Sequence, residues 1–133
     1  MNYNIRSYQH SDFETLCSWY EGYNQPKPLE GMFCEDGTFI LEVDNQPVIS
    51  QSVLFTQSKQ ICFLELCIKN PKFKSINLES ILSLLWDHIF SYSRSKGYKN
   101  IFGYALEEKL KNKYVHMGLT RVSDNLSSFS RTL

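Results

Sequence analysis

No stretch of this 133-residue chain approaches the roughly 18 consecutive apolar residues that would span a bilayer, and its opening residues are polar, without the apolar core of an export signal. A cytoplasmic chain with no membrane anchor is the expectation. An excess of one charge is missing too: 14 Lys and Arg balance 14 Asp and Glu, so no global field recruits nucleic acid or a membrane surface. Cysteines are few, at Cys17, Cys34, Cys62 and Cys67, with no C-x-x-C pair and no histidines at zinc-ligand spacing, so no metal site is expected. They read as reduced core thiols; Cys62 and Cys67 lie an odd number of residues apart on one strand, face opposite ways and cannot bridge. Low-complexity linkers and internal repeats are also absent, and this length suits a single domain over residues 1–133.

What is present is a dense alternation of strand-like and helix-like segments. Asn2 to Tyr8 alternates as a first strand. Ser11-Asp12-Phe13-Glu14 matches a capping box, and the helix it opens carries Phe13, Leu16, Cys17 and Tyr20 on one face before Gly22 stops it. The Pro- and Gly-bearing segment from Tyr23 to Met32 predicts a loop with at most one helical turn. Thr38 to Val43 and Pro47 to Thr56 are two strands joined by the turn Asp44-Asn45-Gln46. Aromatics make up 14% of the chain and fall mostly inside these elements, which fits core packing and not a base-stacking platform.

The chain is organised around a β-turn-α unit from Gln60 to Gly97. A fourth strand, Gln60 to Lys69, breaks at Asn70-Pro71 and passes through Lys72-Phe73-Lys74. It then becomes a long helix with Leu78, Ile81, Leu82, Leu85, Ile89 and Tyr92 at helical spacing. On the strand, alternation puts Phe63, Glu65 and Cys67 on one face and Cys62, Leu64, Leu66 and Ile68 on the other. A lone carboxylate among apolar neighbours is costly to bury, so Glu65 marks either a solvated cleft or a chemical role. The turn before the helix exposes backbone N–H groups with no intrahelical partner, a natural anion site beside Lys69, Lys72 and Lys74. After Gly97 come a fifth strand, Asn100 to Ala105, a helix from Glu107 to Met117, and a closing hairpin of Leu119 to Ser123 and Leu126 to Thr132 around Asp124-Asn125.

This layout resembles the Gcn5-related N-acetyltransferase (GNAT) superfamily. There a strand is followed by an Arg/Gln-x-x-Gly-x-Gly/Ala turn that holds the coenzyme A pyrophosphate; the corresponding residues here are Lys74-Ser75-Ile76-Asn77-Leu78-Glu79. Lys74 keeps the positive charge, while Asn77 and Glu79 stand where the family has small residues. Like charges about 4 Å apart at an effective dielectric near 20 repel by about 4 kcal/mol, so the direction taken by Glu79 decides how open the turn is. The segment Tyr114-Val115-His116-Met117-Gly118-Leu119 is similar to the family's Tyr-x-x-x-Gly-Phe, although Glu107 and Leu110 depart from the residues usual before that tyrosine.

The resemblance implies an α/β (α+β) fold with a mostly antiparallel, centrally splayed sheet of about six to seven strands flanked by helices. It implies acetyl-CoA as co-substrate, held by backbone at Cys67 and Ile68 and by Lys74, Ser75, Asn77 and Leu78 in the turn. Glu65 would be the base for the acceptor ammonium and Tyr114 the acid for the leaving thiolate; Leu106, Leu110, Tyr114 and Met117 equally make an ordinary packing stripe. Tyr23, Met32 and Phe33 would line the acceptor side. The acceptor amine, small-molecule or protein, is not specified by these residues, and an exposed last strand would offer an edge for a homodimer. The alternative is a GNAT-fold protein that has lost catalysis and works as a protein-interaction module.

Overall fold

In the computed structural model, which describes every residue except Ile76, Leu106, Asp124, Asn125, Leu126 and Ser128, the chain forms two compact units, Met1–Gly103 and Tyr104–Leu133. The first unit is a five-stranded sheet in the order β1 (Tyr3–Ser7), β2 (Thr38–Val43), β3 (Gln46–Phe55), β4 (Ile61–Lys69) and β5 (Asn100–Phe102). The first three pairings are antiparallel and β4–β5 is parallel, so the sheet is mostly antiparallel as expected. Helices α1 (Phe13–Gly22) and α2 (Leu78–Ser95) accompany it, with short 3-10 turns at His10–Asp12 and Glu30–Met32. The strand number is five, below the six to seven anticipated: neither half of the expected closing hairpin forms a strand among its described residues, and its Asp124-Asn125 turn lies outside them.

Local chemistry accounts for these elements. Asp44 and Asn45 both take positive φ, 49° and 65°, the backbone of a tight hairpin turn that matches the twist of β2 and β3. One sheet face buries Tyr8, Ile40 and Ile68 with Leu16 and Trp19 of α1. On α2, Ile81, Leu82, Leu85, Trp86 and Ile89 are buried, the stripe that helical spacing predicts. Cys17 and Cys62 are buried thiols, but Cys34 and Cys67 are exposed, which corrects their assignment to the core.

The start of α1 is fixed differently from the expected capping box. The reaching carboxylate is that of Asp12, which accepts from the Gln9 backbone N–H at 2.8 Å, while Glu14 is exposed. Asp12 also accepts two 2.8 Å bonds from the Arg6 guanidinium, whose Nε donates to Glu42 at 3.1 Å, so one arginine ties β1, β2 and the helix start together. Burial favours the neutral acid of Asp12, but the bonds from Arg6 and Gln9 and the arginine's charge outweigh it and hold the carboxyl below its ordinary range. A carboxyl lowered by folding stabilises the protein above its unfolded value, about 3.9, and that stability is lost as pH falls through the folded value. Asp12→Asn is therefore expected to cost about 1–3 kcal/mol in urea unfolding at pH 7, with a shallower loss below about pH 4 than the parent. Identical acid limbs would remove Asp12 from this role.

Candidate functional site

The parallel ladder between β4 and β5 is short. It pairs Ile61 with Asn100, Cys62 with Ile101 and Phe63 with Phe102, and ends there. Beyond Phe63, no strand among the described residues pairs with the β5-side edge of β4 within this unit.

Where the edge opens, β4 bulges. Ser52 faces Glu65 and Ser50 faces Ile68, so two steps along β3 are matched by three along β4. Leu66 takes a φ of 53°, a left-handed conformation uncommon for leucine, and accommodates the extra residue. The bulge overturns the simple alternation expected for this strand. Ser50 and Ser52 share a face of β3, so Glu65 and Ile68 share a face of β4; Leu66 and Ile68 both pack into the α1 cluster, which places Glu65 on the α1 side. The Glu65 carboxylate is half-buried and has no hydrogen-bond or ion-pair partner among the described residues.

Gln51 lies opposite the bulge and is 1% exposed, as is Trp86. Its amide Nε2 donates to the Glu65 carbonyl at 2.7 Å and to the Ser52 carbonyl at 3.2 Å, while its Oε1 accepts the Trp86 indole N–H at 3.0 Å. Because a peptide unit is planar and trans, holding the Glu65 C=O toward Gln51 aims the Leu66 N–H away from it. Sequence reasoning missed Gln51, Trp86 and Leu66 as site residues. The available signal was Ser50-Gln51-Ser52, a polar triplet inside an otherwise apolar strand, which demands buried partners.

The chain leaves β4 through Asn70 and Pro71. The Asn70 side chain accepts the Lys72 N–H at 3.0 Å and donates to the Pro47 carbonyl at 3.3 Å. Gly22, expected as a helix stop, is needed here for close approach: a Cβ on it would lie 2.7 Å from Pro71 Cγ. The loop then borders an open groove of about 390 Å³ lined by Lys69, Phe73, Lys74 and Ser75. Neither lysine has an ion-pair partner among the described residues. Asn77 is the N-cap of α2 but makes no side-chain cap bond; its own N–H donates to Ser75 Oγ at 3.1 Å. Glu79 is exposed, and its carboxylate accepts no hydrogen bond among the described residues. Ile76, in the middle of the expected pyrophosphate turn, lies outside them.

Of the other expected residues, Cys67 sits just past the bulge with an exposed thiol, and Ile68 is buried in the α1 cluster. The hydroxyls of Tyr20 and Tyr23 are pushed up first by burial and then by Cys67, so these rings neighbour it. Tyr23 and Met32 are exposed, while Phe33, expected beside them on the acceptor side, is a core residue against Tyr8 and Phe13. In the second unit, α3 (Glu108–His116) carries a half-buried Tyr114. Gly118 follows at φ 92°, with the Leu119 N–H on the Tyr114 carbonyl at 2.9 Å and the Gly118 N–H on that of Val115 at 3.0 Å. This is a Schellman stop, so the Tyr114-to-Gly118 spacing serves the helix end whatever else the tyrosine does.

No protein-family model matches the sequence, and no curated protein sequence matches it. Solved structures do match. An acetyltransferase of Trypanosoma brucei is 19% identical with a TM-score of 0.69, over 97% of this chain and all of its own. Glucosamine-6-phosphate N-acetyltransferase of Arabidopsis thaliana is 14% identical with a TM-score of 0.66, over 97% of this chain and 99% of its own. N-acetylglutamate synthase of Neisseria gonorrhoeae, solved with coenzyme A and N-acetyl-glutamate, is 16% identical with a TM-score of 0.69, over 92% of this chain and 29% of its own. The likeness lies in the fold, and this chain has the fold of the GNAT acetyltransferases. No helix among the described residues is long and apolar enough to cross a membrane.

Proposed function

We propose that this GNAT-fold chain is an acetyl-CoA-dependent N-acetyltransferase acting on a small-molecule or protein amine. The observation that carries the reading is the coincidence of three features: β4 losing its β5 partner after Phe63, the bulge at Leu66, and the groove of Lys69 and Lys74 before an α2 N-terminus whose N-cap, Asn77, makes no side-chain cap bond. Lysines and helix-terminal N–H groups complement a diphosphate, and the partial positive charge of the helix end adds to them. Lys74, Ser75, Asn77 and Leu78 would hold that diphosphate, and the backbone from Leu66 through Cys67 and Ile68, past the last β5 pair, would hold the pantetheine arm and thioester. Glu79 weakens the site less than its sequence position suggests, because an exposed carboxylate is screened by solvent and salt.

In the proposed reaction, Glu65 takes a proton from the acceptor ammonium and the freed nitrogen attacks the thioester carbonyl carbon. A backbone N–H receives the charge developing on oxygen, the C–S bond breaks, and the departing thiolate takes up a proton from solvent. The test is thermal unfolding with acetyl-CoA. Ligand at a hundred times its dissociation constant stabilises the folded state by about 2.7 kcal/mol, a rise of several degrees for a domain this size. An unmoved melting curve at millimolar acetyl-CoA would reject the enzyme and leave the interaction module.

A further inference from the structure

We propose that Gln51, locked by Trp86, is a positioning residue for the peptide that binds the acyl group; the proposal rests on the acetyltransferase reading and assigns its polar support. The Glu65–Leu66 peptide sits where the sheet can hold it least, because β4 bulges there against β3 and has already parted from β5. Its orientation must come from elsewhere. Gln51 supplies it: the carboxamide fills the ladder's irregularity with a 2.7 Å bond to the Glu65 carbonyl, and its oxygen is held at 3.0 Å by an indole N–H from α2.

Both side chains are 1% exposed, so neither bond exchanges readily with water. The relay runs from α2, the helix that follows the lysine groove in the chain, to β4, the strand that parts from β5 before the bulge. Diphosphate end and acyl end are thereby set on one frame, Leu78 beginning α2 and Leu66 bending β4. A donor aimed at a developing oxyanion acts in the transition state, and misaiming it slows turnover more than it weakens coenzyme binding.

The experiment compares the parent chain with Gln51→Met, which keeps side-chain volume and deletes both polar groups, and with Ile89→Val, a buried α2 change away from the relay that serves as a stability control. Gln51→Met is expected to lower kcat at least tenfold, with KM for acetyl-CoA changed by less than threefold; Ile89→Val lowers the melting temperature without that loss. Trp86→Phe, which keeps a ring but no N–H, is expected to fall between them. Amide hydrogen exchange reads the positioning without turnover: in Gln51→Met the hydrogen-bonded amides of the β3–β4 ladder on either side of the bulge exchange at least tenfold faster, and those of the β1–β2 ladder do not. Unchanged exchange at β4, or a kcat within twofold of the parent, overturns the proposal. A parent chain that binds no acetyl-CoA overturns the enzyme reading instead, while the exchange measurement still decides whether Gln51 holds the bulge.

Discussion

Glu65→Gln is expected to lower kcat by about 100- to 10,000-fold, the usual contribution of a positioned base, while leaving acetyl-CoA affinity within about twofold. The carboxylate lies one residue before the bulge, on the α1 side of the sheet, and has no partner among the described residues. An ammonium arriving there meets a free acceptor for its proton. The Gln variant keeps the shape and loses only the ability to take that proton, so binding and chemistry should separate. The deficit should also shrink as pH climbs toward an ordinary amine value near 10, because a substrate that is already neutral needs no base. Direct titration of coenzyme binding and a pH series of single-turnover rates measure the two parts. A variant as fast as the parent would strip Glu65 of the role, and a loss that persists undiminished at high pH would assign it to placing the acceptor.

Much of this fold is readable from residue patterns because its main elements are long and locally consistent. The α2 stripe from Ile81 to Ile89 is buried along one side, and the β2–β3 hairpin closes on Asp44 and Asn45, which tolerate positive φ. The lysine groove was legible for a similar reason: Lys69 and Lys74 flank a turn that strand and helix periods bracket. The bulge was not legible. Nothing in Glu65-Leu66-Cys67-Ile68 marks a left-handed residue, since no glycine or asparagine stands there; Leu66 is held by tertiary context, the buried cluster on one side and Gln51 on the other. A strict two-residue period then puts Glu65 on the wrong side relative to Ile68. The helix start fails in a comparable way, because Ser11 and Glu14 fit a local motif while Asp12 finds a stronger partner in Arg6, brought close only by folding. Tyr114 is a case where one spacing has two explanations. A Schellman stop requires Gly118 where it is, so the tyrosine's chemistry rests on turnover measurements and not on the match.

Trp86→Ala is expected to be a severely damaging change to the first unit, costing about 4–8 kcal/mol. Removing a fully buried indole from a packed face typically costs about 3–5 kcal/mol, since neighbours collapse only in part around the void. Ile81, Leu85 and Ile89, each 0% exposed, share its helix side, so much of the face is already sealed. The polar consequence adds to this: Gln51 Oε1 loses the indole N–H at 3.0 Å in a site closed to water, and an orphaned buried acceptor costs about 1–3 kcal/mol. Domains of this size have about 5–15 kcal/mol in total, so the variant should sit close to its unfolding midpoint at 37 °C. Trp86→Phe divides the two contributions, keeping most of the packing and stranding the same oxygen, and its expected cost is about 1–3 kcal/mol. Urea unfolding of both variants at 15 °C, with the slope checked for constancy, measures the difference. A Trp86→Ala loss below about 2 kcal/mol would mean that α2 repacks freely on the sheet, and the rigid frame assigned to the β4 bulge would go with it.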